Sequence, residues 1–154
     1  MNNENEIIEI NNNQAPENTL YCPYCDRPTE IVDSKVIYRK PGYGLIYLCP
    51  FCSAYVGIHK GTLIPKGTPA DKQLRELRKQ THYSFDVIWS NKTILKRIVG
   101  DIEFNHLKEK NLTYRKIAYL WLAKLMNIEV KHCHIGSFNS EQCAKAIDIC
   151  NEHI

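Results

Sequence analysis

The stretch YLCPFCS, residues 47–53, repeats the pattern of an earlier stretch, LYCPYCD, residues 20–26. Each contains Cys-Pro-aromatic-Cys after an apolar residue, and the proline fixes φ for a tight turn between the two thiols. In such a turn, backbone N–H groups point at the first thiolate and favour its charged form. Two turns of this kind supply the four thiolates of a closed tetrahedral zinc site. The sequence therefore predicts one structural Zn²⁺ held by Cys22, Cys25, Cys49 and Cys52.

The 23 residues between the two cysteine pairs are long enough for a two-stranded hairpin. β-Branched residues dominate 29–38, the turn signal KPGYG follows at 40–44, and an apolar strand at 45–48 leads into the second pair. We expect a third strand at 54–58. This arrangement is a zinc ribbon, a small β module with so little core that metal binding supplies its folding energy.

The bulk properties of the chain fit one cytoplasmic globular domain. At 154 residues, with 44% hydrophobic and 24% charged side chains, the chain can build one modest core. Its sequence has no apolar run of membrane-spanning length and no secretory leader pattern at its start, so no membrane partner is expected. Residues 1–19 are acidic and rich in asparagine and are predicted to be a flexible tail, with a single domain over 20–154.

The remaining cysteines do not indicate disulfides. A reducing cytoplasm disfavours them, and seven thiols cannot all pair. No βαβ pattern surrounds either C-x-x-C, which argues against a thioredoxin-like redox pair. Cys143 and Cys150 fall on the apolar face of a predicted helix and are expected to be buried. Cys133, between His132 and His134, leaves a second metal site as an alternative to burial.

A loop and then a helix follow the ribbon. Residues 60–69 contain two glycines and two prolines, which favours a loop. The spacing of apolar residues from Leu74 to Ile88 predicts the helix, which begins shortly after the loop with Thr68 or Asp71 as its cap.

Further helices are expected toward the C-terminus, and most aromatic side chains of the helical part are expected to build its core. The predicted fold class is therefore α+β, a small zinc-ribbon β-hairpin module packed with about four α-helices. The further helical stretches are 93–110, interrupted at Gly100, then 112–126, and last 139–153, capped by Asn139 or Ser140. The expected core aromatics are Tyr83, Phe85, Trp89, Tyr114, Tyr119, Trp121 and Phe138.

The charge of the chain is asymmetric and favours an anionic partner. The first 21 residues hold 4 Glu and no base, and the rest holds 20 Lys and Arg against 13 Asp and Glu. A glycine-bearing loop followed by a basic helix favours a phosphate-binding surface, although it matches no P-loop, and a solvated helix face is the alternative. The residues predicted to contact nucleic acid are Lys60, Lys66, Lys72, Arg75, Arg78 and Lys79.

A nuclease-like histidine and aspartate site is a further alternative. His59, His82, Asp86 and His134 carry suitable groups, and His82 and Asp86 are one helical turn apart. Neither H-E-x-x-H nor G-x-S-x-G occurs in the chain. We therefore assign no catalytic residue and do not expect an enzyme.

Four motifs carry a resemblance to a known family. They are the two C-P-x-C pairs, YVGIHKGT at 55–62, LRELRKQTH at 74–82 and HIGSFNSEQC at 134–143. In this order and spacing they resemble the zinc-finger-containing domain family of unknown function found in phages and bacterial mobile elements. The resemblance covers about residues 20–150 and implies zinc at the four cysteines but no established reaction. Asp26 stands where a glycine often follows such a knuckle, and aspartate tolerates the left-handed conformation required there.

Two function classes follow from these observations. The first is a zinc-binding accessory protein of phage or mobile-element type that binds DNA or RNA. The second is a protein-interaction module, an inhibitor or adaptor that acts on a host protein. Salt-dependent binding to nucleic acid would favour the first class, and nuclease-resistant capture of one protein would favour the second.

Overall fold

The computed structural model describes residues 19–40 and 42–154, and its strands form one antiparallel sheet with β2 in the centre. Tyr47 of the central strand pairs with Ile31 on one side and Val56 on the other. The hairpin and the third strand predicted from the sequence are thus confirmed. The strands are β1 (Glu30–Asp33), β2 (Leu45–Leu48) and β3 (Tyr55–Gly57). The tail predicted for 1–19 lies outside the described residues, except for Thr19.

The strand predicted over 29–38 is only half correct, because a helical turn replaces its second half. The strand ends at Asp33, and α1 (Lys35–Tyr38) follows. Asp33 Oδ1 accepts a hydrogen bond of 2.8 Å from the Lys35 N–H, which offers the backbone a turn in place of the sheet. Arg39 then ends the turn in the left-handed region at φ 54°. This turn sets Tyr38 beside the sheet, where its hydroxyl contacts that of Tyr55.

From Lys72 onward the described chain is mostly helical and follows the predicted elements. Gly100 separates α3 from α4 as expected, and no helix in the described ranges is both long and apolar enough to cross a bilayer. The helices are α2 (Lys72–Ser90), α3 (Lys92–Val99), α4 (Asp101–Glu109), α5 (Tyr114–Met126) and α6 (Ser140–Glu152), with short 3₁₀ turns at Val130–His132 and Ile135–Ser137.

Side-chain caps fix where these helices begin. The Asp71 side chain accepts a hydrogen bond of 2.8 Å from the Leu74 N–H, so Asp71 rather than Thr68 caps α2. Asn139 and Gln142 form the predicted capping box at the start of α6. These bonds involve residues three apart in sequence, which is why the sequence predicts them.

The main core lies among the helices and contains most of the predicted aromatic residues. Phe85 and Phe138 are fully buried, and Trp121 is 8% exposed. Tyr83 is an exception: it is 79% exposed, so its assignment to the core is wrong. Position 83 falls on the solvent side of α2, between the buried positions Thr81 and Phe85.

The loop after the ribbon is fastened to the helical part by a buried arginine. Arg78 of α2 is 8% exposed, and its guanidinium donates hydrogen bonds to the Thr68 carbonyl (2.7 Å), the Thr68 hydroxyl (2.7 Å) and the Phe138 carbonyl (2.9 Å). Beside it, the backbones of Gly67 and Gly136 approach so closely that a Cβ on either would overlap the other segment. The expectation that Arg78 lies on the surface is therefore wrong.

Candidate metal centre

The two Cys-Pro-aromatic-Cys turns have the same backbone hydrogen bonds. The Cys22 N–H donates to the Arg27 carbonyl and the Cys49 N–H donates to the Ala54 carbonyl, both at 2.8 Å. The Arg27 guanidinium lies over the Phe51 ring, 4.1 Å from its centroid, and so connects the first turn to the second. The repeated sequence pattern is therefore a repeated structure.

Each turn closes with a residue in the left-handed conformation. Asp26 follows the second cysteine of the first turn at φ 55°, as the sequence predicted. Ser53 occupies the equivalent position of the second turn at φ 58°. The sequence analysis did not identify Ser53, although the symmetry of the two motifs marks its position. This conformation folds the chain back so that both thiols of a pair face the same point.

The four sulfur atoms converge as a tetrahedral zinc site requires. The Sγ atoms of the four predicted ligands all lie within 4.8 Å of one another, and those of Cys25 and Cys49 are 3.6 Å apart. Four thiolates at the usual Zn–S distance lie about 3.8 Å apart, so the observed spacing fits the ion. Cys22 and Cys49 are buried, whereas Cys52 reaches the surface. An all-sulfur donor set without an open position matches a structural zinc site rather than a catalytic one.

The electrostatics of the turns favour one thiolate in particular. Burial raises the pKa of Cys49, but the N–H groups of Cys52 and Phe51, together with the neighbouring thiols, lower it to about 7. The thiols of Cys25 and Cys22, with burial, raise the pKa of Cys52 to about 12. Four thiols so close together cannot all be ionised without a cation, and Zn²⁺ supplies that charge when it displaces their protons.

The comparison with protein families agrees with a zinc site at these cysteines. A family model described as a zinc-finger-containing domain matches residues 18–100 and 95–153. The chain belongs to this family. No curated protein and no solved structure matches the chain significantly. The matched ranges include the four cysteines and the five long helices of the described residues. The protein is a zinc-binding protein, and its cysteine cluster fits one ion.

The first turn of this zinc finger also contacts the start of α2. The Asp71 N–H donates a hydrogen bond of 3.1 Å to the hydroxyl oxygen of Tyr24, which lies between the two cysteines of the first turn. Asp71 is the residue that caps α2. The metal centre and the first long helix are therefore joined directly.

Two of the predicted nucleic-acid contacts lie at the opposite end of the ribbon. Lys60 and Lys66 are exposed and line a cavity of about 390 Å³ between the β1–β2 hairpin and the loop after β3. Three hairpin residues and a histidine are among the other residues that line this cavity. These are Gly42, Tyr43, Gly44 and His59.

The remaining predicted contacts belong to α2 and differ in environment. Lys72 and Lys79 are exposed, and Lys79 lies 4.0 Å from Glu76. The Arg75 guanidinium lies over the Tyr55 ring at 3.8 Å from its centroid, so it packs against the ribbon and is half-buried. The Arg78 guanidinium is buried and donates its hydrogen bonds to protein carbonyls, so it is not placed to contact a phosphate.

The residues considered for catalysis do not assemble into the predicted pair. Asp86 accepts a hydrogen bond of 2.6 Å from Trp89 Nε1, one turn further along α2. Burial lowers the pKa of His82 and that of His134, so both favour the neutral form. The His134 ring lies parallel to the Tyr119 ring, with their centroids 6.4 Å apart.

The alternative of a second metal site near Cys133 gains no support. Cys133 is 5% exposed, and burial raises its pKa to about 11. Within the described ranges, the ribbon cysteines form the one cluster of three or more metal-binding side chains. Cys143 and Cys150 are fully buried, as predicted.

The sequence analysis missed the residues at the tip of the hairpin. Lys35, Arg39, Lys40, Tyr38 and Tyr43 are all exposed there. The available signal was charge distribution: residues 34–70 contain five Lys and Arg and no Asp or Glu. The sequence analysis compared the first 21 residues with the rest, and that division averages this segment with the helical part, in which Lys and Arg are largely balanced by Asp and Glu.

Proposed function

We propose that this protein binds nucleic acid through its zinc ribbon, as a cytoplasmic accessory protein of phage or mobile-element type. The observation that carries the proposal is the charge of residues 34–70, five Lys and Arg without one Asp or Glu. A polyanion such as DNA or RNA gains affinity from each such cation by releasing condensed counterions.

The arrangement of the ribbon supports this proposal. The zinc centre with four thiolates carries a formal charge of −2, which would repel phosphates if it lay among the lysines. The strands β1 and β2 each have four residues between the cysteine turns and the hairpin tip, a separation of about 13 Å. The metal therefore stabilises the hairpin from one end and leaves the basic tip free to bind.

The test is the salt dependence of binding. Fluorescence anisotropy with labelled DNA and RNA, at several salt concentrations, measures affinity and its slope. Charge reversal at Lys40 and Lys60 should weaken binding to every sequence and reduce the salt slope by about two contacts. Charge reversal at Lys92 and Lys110, exposed residues of the helical part, changes the net charge equally and should change the slope much less.

A protein partner is the second candidate function, and one observation favours it. Leu63 and Ile64 are adjacent in the loop after β3 and are 60% and 62% exposed. Two neighbouring exposed aliphatic side chains fit the centre of a small protein interface better than a phosphate backbone. Capture of one host protein that persists after nuclease treatment, and is lost with Leu63→Asp, would support this candidate.

A further inference from the structure

A chain of ring contacts runs from α2 to the tip of the hairpin. It begins with the Arg75 guanidinium over the Tyr55 ring, at 3.8 Å. The Tyr55 ring meets the edge of Tyr38 with centroids 6.2 Å apart, and their hydroxyl oxygens are 3.0 Å apart. The Tyr38 ring then contacts the Tyr43 ring at 4.8 Å. We call these four residues the tyrosine ladder.

Exposure increases along the tyrosine ladder toward the tip. Tyr55 is 9% exposed, Tyr38 is 42% exposed and Tyr43 is 58% exposed. The inner ring is held by its neighbours, so it supports the two outer rings. A tyrosine in the main core would bury its ring, whereas these two offer much of their aromatic surface to solvent.

Two lysines lie near the exposed end of the tyrosine ladder. Tyr55 and Gly57 are two residues apart on β3 and share one face of the sheet. The Lys66 side chain lies across Gly57 on that face, with its Cδ 3.3 Å from the position a Cβ would occupy. Lys66 and Tyr43 both line the cavity at the tip, together with Lys60. An exposed aromatic ring and two lysine side chains therefore lie around the same cavity.

We propose that Tyr38 and Tyr43 stack against unpaired bases of a single-stranded nucleic acid, while Lys40, Lys60 and Lys66 contact its backbone. This inference rests on the proposed function and names its substrate class. Bases within a duplex are covered on both faces by their neighbours, so only an unstacked base can use an exposed ring. Residues 34–70 contain no Asp or Glu, so their surface attracts a polyanion. It offers no acidic group that would attract a basic protein surface.

The experiment compares single strands with a duplex. The probes are labelled oligo(dT) and oligo(rU) of about 16 nucleotides and a mixed-sequence duplex of the same length. The double variant Tyr38→Leu and Tyr43→Leu should lower affinity for the single strands by about 10-fold or more, with the salt slope retained. The double variant Tyr38→Phe and Tyr43→Phe should keep most of the wild-type affinity, because the ring rather than the hydroxyl provides the stacking.

The control is Tyr83→Leu, which removes a more exposed tyrosine from the helical part and should not change binding. Zinc content and the far-ultraviolet circular dichroism spectrum establish that each variant is folded. If the double leucine variant does not fold, Tyr43→Leu alone decides, since its ring is the most exposed of the ladder.

The outcomes separate this inference from the proposed function. A wild-type protein that binds neither single strands nor duplex at low salt contradicts both. Wild-type binding that is equally tight for the duplex, or unchanged by leucine at 38 and 43, overturns the stacking inference and leaves the proposed function standing. Selective loss of single-strand affinity in the leucine variants supports both.

Discussion

Cys49 and Cys150 are both fully buried, and they stabilise the chain by different means. Cys49 accepts the N–H of Cys52 at 3.4 Å and faces three other thiols. Cys150 lies in the helical core, where burial raises its pKa to about 12 and keeps it a neutral thiol. The first residue acts as an anion toward a metal, and the second acts as a small apolar side chain.

Substitution of these two cysteines should therefore have unequal effects. Cys49→Ser should abolish zinc binding and unfold the ribbon, because the binding energy of the metal is also folding energy. Cys150→Ala should retain one equivalent of zinc and cost about 1–2 kcal/mol of stability. Elemental analysis and urea unfolding measure the two effects. Loss of zinc from both variants would contradict the ligand assignment.

Arg78 provides a second prediction at the scale of one residue. Its guanidinium donates to two carbonyls and one hydroxyl, so Arg78→Met leaves one buried and two partly buried acceptors without this donor and should cost about 2–4 kcal/mol. Lys79→Met on the exposed side of the same helix should change stability by no more than about 0.5 kcal/mol. Urea unfolding of both variants compares them. Similar values for the two would show that the buried bonds contribute little.

At the scale of elements, α2 connects the ribbon to the rest of the helical part. Its first turn contacts the zinc finger through Asp71 and Arg75, its middle holds the loop through Arg78, and its later part packs in the core through Phe85. His82 lies on the same helix and senses the charges of Asp86, Arg115, His134 and Arg78.

The histidines near this junction predict a dependence of stability on pH. Burial lowers the pKa of His82 and of His134, and Arg115 and Arg78 lower both further, while Asp86 partly offsets the shift at His82. As pH falls below the ordinary histidine value of about 6.5, the unfolded chain therefore binds more protons than the folded chain, and the free energy of unfolding decreases.

The double variant His82→Asn and His134→Asn should lose less of its free energy of unfolding as the pH falls. The measurement is the free energy of unfolding at pH about 7.5 and about 5.5, for the wild type and the double variant. Effects of carboxylates and of the zinc thiolates are common to both proteins and cancel in the difference. An identical pH dependence in the two proteins would contradict the assignment.

At the scale of the whole molecule, the protein has two cores of unequal size. The helical core includes Phe85, Leu122, Phe138 and many further buried apolar residues. In the ribbon, the cluster at the cysteine turns consists of Cys22, Cys49 and Ala54 with Cys25 beside it, so three of its four members are metal ligands. The sheet adds a few further buried side chains, among them Ile46 and Tyr47. The apolar core of the ribbon is therefore much smaller than that of the helices, and we expect the ribbon to need the metal to offset its conformational entropy.

Removal of zinc should therefore unfold the ribbon and leave most of the helices folded. A strong chelator should change the strand contribution to the circular dichroism spectrum and retain most of the signal at the helical minimum. The near-ultraviolet signal of Trp121, which is buried in the helical core, should persist. Cooperative loss of all helical signal with the metal would show instead that the two cores fold as one unit.

The sequence predicted the features that depend on neighbours along the chain. The four ligands follow from a repeated motif, and the caps at Asp71 and Asn139 follow from side chains three residues from their partners. The missed features depend on distant contacts. Arg78 is buried because residues 68 and 138 surround it. The position of Tyr38 in α1 likewise involves a contact with Tyr55, a residue distant in sequence.

The hydrogen bond between the Asp71 amide and Tyr24 has a spectroscopic consequence. An amide proton that donates to a phenolic oxygen has a chemical shift that depends on the position of that oxygen, and Tyr24 lies between the two cysteines of the first turn. The Asp71 resonance in a ¹⁵N-labelled sample should therefore move as zinc enters or leaves. One backbone signal, outside the ligand loops, would then report the exchange rate of the metal without any added indicator.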